Sequence, residues 1–340
     1  MRRRGFLALV TGVVAAAGCG PAGGPAGTAV DRLSVVAPAV RGQGWEAMPR
    51  TLAGVLTRCR LARAVEIVDH PAGAGSAVLD RLGSPGGPFT GEGRVLVAGM
   101  SLVAGAEIAG TAPLVGATTP LARLVGDWAA LVVPDGSRLR SFDDFAAGVR
   151  RDPAGLAVGG RLEGGSDHVL YGMIGKCLGA DARLLDYAGY LTAADAAEAL
   201  HLGRVAALLG PARSFRSGIA AGRLRPLVVS SGERVDGIDA PTLMELDVRL
   251  EYSDWCGLLG PARMAEADLD AAVALCDRID AAPDWRARCA ANGWSRVYLS
   301  GDDFRQWLST ETARTREVLH DLGLLKSSDT TCWGSCVRRH

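Results

Sequence analysis

The chain has 340 residues, 37 basic and 37 acidic side chains and 48% hydrophobic residues, the make-up of a globular protein with a sizeable core and room for two domains. Its net charge of zero excludes the basic footprint of a nucleic-acid binder and any general attraction to an anionic membrane surface. An anion bound by such a protein has to be held locally, by a few placed groups.

At the N-terminus, Arg2, Arg3 and Arg4 precede an apolar run over residues 6–17. That run is shorter than the ~20 residues a spanning helix needs, so it reads as a signal-peptide core. Arg3-Arg4-Gly5-Phe6-Leu7 looks like a twin-arginine export signal. Ala16-Ala17-Gly18-Cys19 resembles a lipoprotein box in which Cys19 is acylated, with plain cleavage at a small-residue site as the alternative. Residues 1–19 are thus expected to be an export signal and 20–30, rich in Gly, Pro and Ala, a tether. The protein is expected outside the cytoplasm, lipid-anchored on the extracytoplasmic face of the cell membrane.

From Asp31 onward, short apolar runs alternate with amphipathic stretches. The pattern predicts a strand over 33–37, a helix over 45–58, a strand over 65–68, a helix over 76–82, a strand over 94–98 and a helix over 102–108. Next come a strand over 131–133 stopped by Pro134, a helix over 142–150 capped by Ser141, and a strand over 156–159. A helix over 169–178, a strand over 182–186, a helix over 193–202 and strands over 206–209 and 227–230 follow. The last third is helical, over 266–281, 284–292 and 302–322. Such alternation implies an α/β fold of mostly parallel sheets flanked by helices. The expected layout is two-lobed, with 31–131 and 253–325 forming one lobe, 132–252 the other, and 326–340 a polar tail.

Open α/β sheets bind ligands beyond the carboxyl ends of their strands, so the loops leaving those ends are the candidate site. The first holds Arg41, Gly42, Gln43, Gly44 and Trp45. Glycines there allow close backbone approach, the next helix offers unsatisfied N–H groups, and Arg41 either forks onto a carboxylate or faces water. Gly42, Gly44 and Ala47 also fit a weak G-x-G-x-x-A dinucleotide fingerprint, with Glu66 about 20 residues on; this sustains a rival reading as an exported dinucleotide-dependent enzyme. The second loop runs through Gly164, Gly165, Ser166, Asp167 and His168, where Ser166 or Asp167 is expected to cap a helix. Adjacent Ser, Asp and His do not converge as a triad, and no G-x-S-x-G elbow is present, so no catalytic residue is assigned. In the third, Tyr190 and Thr192 either donate across a cleft or serve as packing and cap; Ser101 occupies a lesser position of the same kind. Beyond Cys19 the chain has Cys59, Cys177, Cys256, Cys276, Cys289, Cys332 and Cys336, with no C-x-x-C pair and no neighbouring histidine at ligand spacing, so no metal is expected; without a complete cofactor motif, no cofactor is expected either.

With these loops in view, the chain resembles the extracytoplasmic receptors of tripartite tricarboxylate transporters, the Bug proteins, over about residues 33–325. The likeness rests on Val65-Glu-Ile-Val-Asp-His-Pro-Ala-Gly-Ala-Gly75, Leu96-Val-Ala-Gly-Met-Ser-Leu-Val103, Thr119-Pro-Leu-Ala-Arg-Leu-Val-Gly126 and Gly164-Gly-Ser-Asp-His168. Gly222-Arg-Leu-Arg-Pro-Leu-Val-Val-Ser230, Ala240-Pro-Thr-Leu243 and Asn292-Gly-Trp294 extend it. The resemblance implies a two-lobed, type II-like periplasmic-binding-protein fold that closes on a small organic acid, no enzymatic activity, and a membrane permease as partner; a monomer is expected. It also implies that residues 41–45 and 164–168 hold a ligand carboxylate, partly through water. Two stretches depart from the family pattern: Arg41-Gly-Gln-Gly-Trp45, and Thr192-Ala193-Ala194 where a glycine triplet is usual. A ligand-sensing or envelope-interaction protein on the same fold is the remaining alternative.

Overall fold

A computed structural model describes residues 29–38, 45–70, 79, 82–83, 87–111 and 114–325. The lipidation residue Cys19, most of the first candidate loop (Arg41, Gly42, Gln43 and Gly44), most of the helix expected over 76–82 and the tail lie outside the described residues.

Three strands open the fold, β1 (Val30–Pro38), β2 (Ala62–His70) and β3 (Glu92–Gly99), and β1 pairs in parallel with both of the others. Val35 and Val36, neighbours on β1, belong to hydrophobic clusters on opposite faces, as a strand covered on both sides requires. Helices α1 (Met48–Arg58) and α2 (Met100–Ala109) and the short α3 (Leu114–Ala117) accompany them.

The centre of the sheet is β4 (Thr119–Pro134), a 16-residue strand of which the sequence pattern marked only the last part. Residues up to Trp128 pair with β9 (Ser253–Gly260), and β10 (Leu299–Ser300) also joins this half. From Ala129 onward β4 instead pairs with β7 (Ala207–Pro211) and β8 (Leu224–Val229). All these pairings are antiparallel. On the far side, β5 (Val158–Arg161) runs parallel to both β7 and β6 (Tyr187–Tyr190). The α/β fold class stands, as one mixed sheet ordered β2-β1-β3-β9-β4-β7-β5-β6: parallel at its two wings and antiparallel at its waist.

The waist is stitched by one serine. Ser230 Oγ donates to the Tyr252 carbonyl at 2.6 Å and accepts from Ala129 N–H at 2.9 Å, so the outgoing and returning crossings share one hydroxyl. Helices α4 (Phe142–Arg151), α5 (Ser166–Cys177), α6 (Ala193–His201) and α7 (Ala212–Ala220) cover the second wing. Helices α8 (Glu266–Ala281), α9 (Pro283–Asn292) and α10 (Gly301–Asp321) complete the molecule. The Ser141 cap of α4 is present, with Ser141 Oγ accepting from Asp144 N–H and the Asp144 carboxylate accepting from Ser141 N–H.

Two local expectations are corrected. Residues 182–184 form a single 3₁₀ turn, with the Asp181 side chain accepting from Arg183 N–H, and the strand expected over 182–186 begins only at Tyr187. Helix α5 starts at Ser166 and its N-cap is Gly165, without a side-chain cap, so neither Ser166 nor Asp167 caps it. Both side chains have better partners inside the protein.

Candidate functional site

Because β5, β6 and β7 are parallel, their carboxyl ends lie along one edge, and each feeds a helix. The N-termini of α5, α6 and α7 therefore share that edge, bringing unsatisfied N–H groups and three partial positive charges to one rim. A cavity of about 530 Å³ opens there, lined at the rim by Glu46, Arg161, Asp167, Tyr190, Thr192 and Arg213. On the first wing a second cavity of about 330 Å³ is lined by Trp45, Glu46, Gly99, Ser101 and Cys256. Glu46 borders both, so the two hollows meet between the wings.

The loop after β5 is folded tightly onto the strand ends. A side-chain carbon at Gly160 would fall 2.8 Å from the Leu209 carbonyl oxygen and 3.0 Å from Asp167 Cβ, so only glycine fits. Gly164 has φ +73°, a left-handed conformation that turns the chain into α5. Asp167 is then positioned to accept from the Arg161 backbone N–H at 2.9 Å, from Arg161 Nε at 2.9 Å and from a terminal guanidinium nitrogen at 2.6 Å. The other terminal nitrogen of Arg161 reaches Asp254 on β9 at 2.9 Å, tying the second wing to the waist. Tyr187 donates to the Arg161 carbonyl and holds the strand end in place. At the neighbouring strand end, Arg213 pairs with Asp127 on β4 at 2.7 Å.

Asp127, Asp167 and Asp254 are all buried, and they outnumber Arg161 and Arg213. Burial pushes the Asp127 carboxyl upward against the pull of Arg213. Burial likewise pushes Asp254 up to about 6 against the pull of Arg161. Asp254 Oδ1 is buried and accepts no hydrogen bond among the described residues, so this carboxyl is the readiest place for a proton. Both arginines are committed to carboxylates, which leaves the helix N-termini to offer electrostatic attraction at this rim.

The remaining expected residues have distinct surroundings. Ser166 is buried and shares a 2.7 Å hydrogen bond with the Tyr252 hydroxyl. His168 is buried, its Nδ1 accepts from Gly164 N–H at 3.1 Å, and its ring stacks on Tyr187 with centroids 4.2 Å apart. Burial lowers the His168 pKa to about 4, so the imidazole is neutral. Thr192 caps α6 by accepting from Asp195 N–H at 3.1 Å, and Tyr190 packs against the neighbouring hydrophobic cluster; both still line the larger cavity. Gly165 and Ser101 approach across the wings: a side-chain carbon on Gly165 would sit 3.9 Å from Ser101 Oγ and 2.9 Å from the Leu162 carbonyl oxygen. Trp45 packs beside Trp294 with ring centroids 5.6 Å apart. Its indole N–H is buried without a hydrogen-bond partner among the described residues.

Sequence reasoning missed Arg161, Arg213, Asp127 and Asp254 as members of this floor. Arg161 ends the strand that opens the second candidate loop, and at Gly210-Pro211-Ala212-Arg213 β7 passes directly into α7 without an intervening loop. The two aspartates lie on the waist strands and had no local signature.

A sheet with two helix-covered wings and a hollow between them is the fold of a periplasmic binding protein. A crystallised TctC solute binding protein from Polaromonas, with no ligand, superposes with a TM-score of 0.71 at 19% identity, covering 86% of this chain and 99% of that one. An R. palustris protein solved with adipate gives 0.67 at 18% identity over 86% and 97% of the two chains. MatC from Rhodopseudomonas palustris with bound malate gives 0.63 at 18% over 85% and 99%. Among curated proteins no match is found by sequence. The model of the tripartite tricarboxylate transporter family receptor matches residues 113–324, and the chain belongs to that family. The family and the solved neighbours are solute-binding receptors rather than enzymes.

Proposed function

We propose that this protein is an extracytoplasmic receptor that captures a small organic acid between two lobes for a tripartite tricarboxylate-type membrane permease. The lobes in this reading are residues 31–131 with 253–325, and 132–252; β4 changes partners from β9 to β7 and β8 at Trp128–Ala129, three residues before that boundary, and the chain returns into β9. The observation that carries the reading is the convergence of the α5, α6 and α7 N-termini on the rim of the larger cavity, in a member of a receptor family. Backbone N–H groups and helix dipoles stabilise a carboxylate without bulk positive charge, which suits a chain of zero net charge.

Across the wings, Trp45 and Ser101 line the second cavity and would complete the grip; Arg41, outside the described residues, is proposed to add one charge-assisted contact. A ligand touching both walls favours closure by its differential affinity for the closed state. Malate and adipate are bound by structural neighbours, which supports acids as the class to screen. Export through the arginine signal and anchoring through Cys19 place the receptor where such a solute is met.

Thermal-shift screening of the purified protein against carboxylic acids, followed by isothermal titration, is the test. At least one acid should raise Tm and be recovered chemically unchanged. Arg41→Ala should weaken its binding by roughly ten- to a hundredfold, at about 1.4 kcal/mol per decade. A complete screen without a single stabilising acid would sink the reading.

A further inference from the structure

The larger cavity does not end at the rim. It continues between α6 and α7 as a groove floored by Leu208 of β7. On α6 it is lined by Ala193, Ala196, Ala197 and Leu200, spaced i, i+3, i+4 and i+7, which is one stripe of a helix. On α7 it is lined by Ser214, Ser217 and Gly218, again one stripe. The small residues on both stripes leave the space between the helices unfilled, and the gap follows α6 for about 10 Å at ~1.5 Å per residue. Phe215 and Leu224 wall the groove, so hydrocarbon dominates its surface. At the rim, Leu191 stands 64% exposed between the two site residues Tyr190 and Thr192, an apolar side chain with nothing covering it.

A compact, highly charged acid satisfies the rim and leaves this groove to water. A carboxylate placed midway along it would lose hydration and meet only the Ser214 and Ser217 hydroxyls, an incomplete replacement that costs several kcal/mol. An uncharged chain there instead gains from burial. The rim asks for an anionic head and the groove, continuous with it, for an apolar body. We infer that the ligand is an amphiphilic monocarboxylate, with its head at the α5, α6 and α7 N-termini and its hydrocarbon chain between α6 and α7. The inference rests on the receptor reading above and names the ligand class for that same site.

The experiment is isothermal titration of the full chain with butyrate, hexanoate, octanoate and decanoate, with malate and sebacate as further arms. Affinity should rise about fourfold per added methylene until the groove is filled, the fold-change that about 0.8 kcal/mol per buried CH₂ gives. Ala197→Trp and Ser217→Trp fill the groove from opposite walls at exposed positions. Each should abolish that gain and bring decanoate back to the butyrate affinity, with the melting temperature of the unliganded protein reporting an intact fold. A flat series, or an unchanged gain in both variants, overturns the groove assignment. His201 and Arg223 flank its far end, so sebacate binding more tightly than decanoate would show that this end reads a second charge, and would overturn the monocarboxylate class. Malate binding with no monocarboxylate binding leaves the receptor reading standing and removes this one. Binding of no acid at all removes both.

Discussion

The parallel wing of β5, β6 and β7 and the antiparallel waist of β4 and β9 are neighbours in one sheet, yet they dispose of their polar groups in opposite ways. In the wing, each strand runs into a helix, and the first N–H groups of three helices are left at a common rim. In the waist, the polar groups are consumed internally: Ser230 bonds both crossings, and Asp254 and Asp127 engage arginines from the wing. A parallel edge thus leaves hydrogen-bonding capacity for a ligand, whereas an antiparallel crossing spends its own on holding the halves together. The ion pairs between them are where the two demands meet.

Asp167→Ala attacks the wing side of that meeting and should have the largest effect. Arg161 would lose both side-chain hydrogen bonds to Asp167 in a buried setting, a loss of about 3 kcal/mol or more. Urea unfolding should show a lower midpoint with an unchanged slope. A loss below about 1 kcal/mol would mean that the pair is no more than a surface contact.

Asp254 tests the waist side through pH. Its folded pKa, about 6, lies above the ordinary value of 3.8, so between these values the folded state binds more protons than the unfolded one. Stability therefore falls as pH rises from about 4 to about 6, and the cost is fully present above that window. At ~1.36 kcal/mol per pKa unit this is on the order of 2–3 kcal/mol. Asp254→Asn keeps a carbonyl acceptor for Arg161 and removes the titration, so its profile over the same range should be flatter. Parallel profiles for the two proteins would place the proton elsewhere.

The smallest effect belongs to the stitch within the waist. Ser230→Ala removes the acceptor of Ala129 N–H and the donor to the Tyr252 carbonyl, at a cost of about 1–3 kcal/mol. Amide exchange should quicken at Ala129 while the amides of β5 to β6 pairing keep their protection. Equal loosening of the wing would show that waist and wing unfold as one unit.

How much of this was legible depends on the range over which each feature is written. The α4 cap lies within four residues, Ser141 to Asp144, and its chemistry is local. The start of α5 was misplaced because Ser166 and Asp167 have the composition of caps; the Ser166 partner Tyr252 lies 86 residues away, and the Asp167 partner Arg161, six residues away, meets it only because the loop folds back on β5. The long β4 was read only near its end because it is buried almost throughout, and continuous burial erases the alternation that marks a strand. Strand β9 passed unassigned for the same reason. Of the residues that line the larger cavity, Asp167, Tyr190 and Thr192 belong to stretches that strand-to-helix loop chemistry singles out, whereas Arg161 ends β5 and Arg213 lies in the first turn of α7.

The sequence by itself determined the zero net charge, the alternation of short strands and helices, the loops that end at helix N-termini and the motifs of the receptor family, because each is set by composition or by neighbours a few residues apart. Only the tertiary structure decided that the waist is antiparallel, that Asp254 meets Arg161 across 93 residues of chain, and that small side chains on α6 and α7 leave a groove between them. Those features depend on which distant elements become neighbours, and burial of apolar surface, which makes that choice, is non-directional and leaves no local mark.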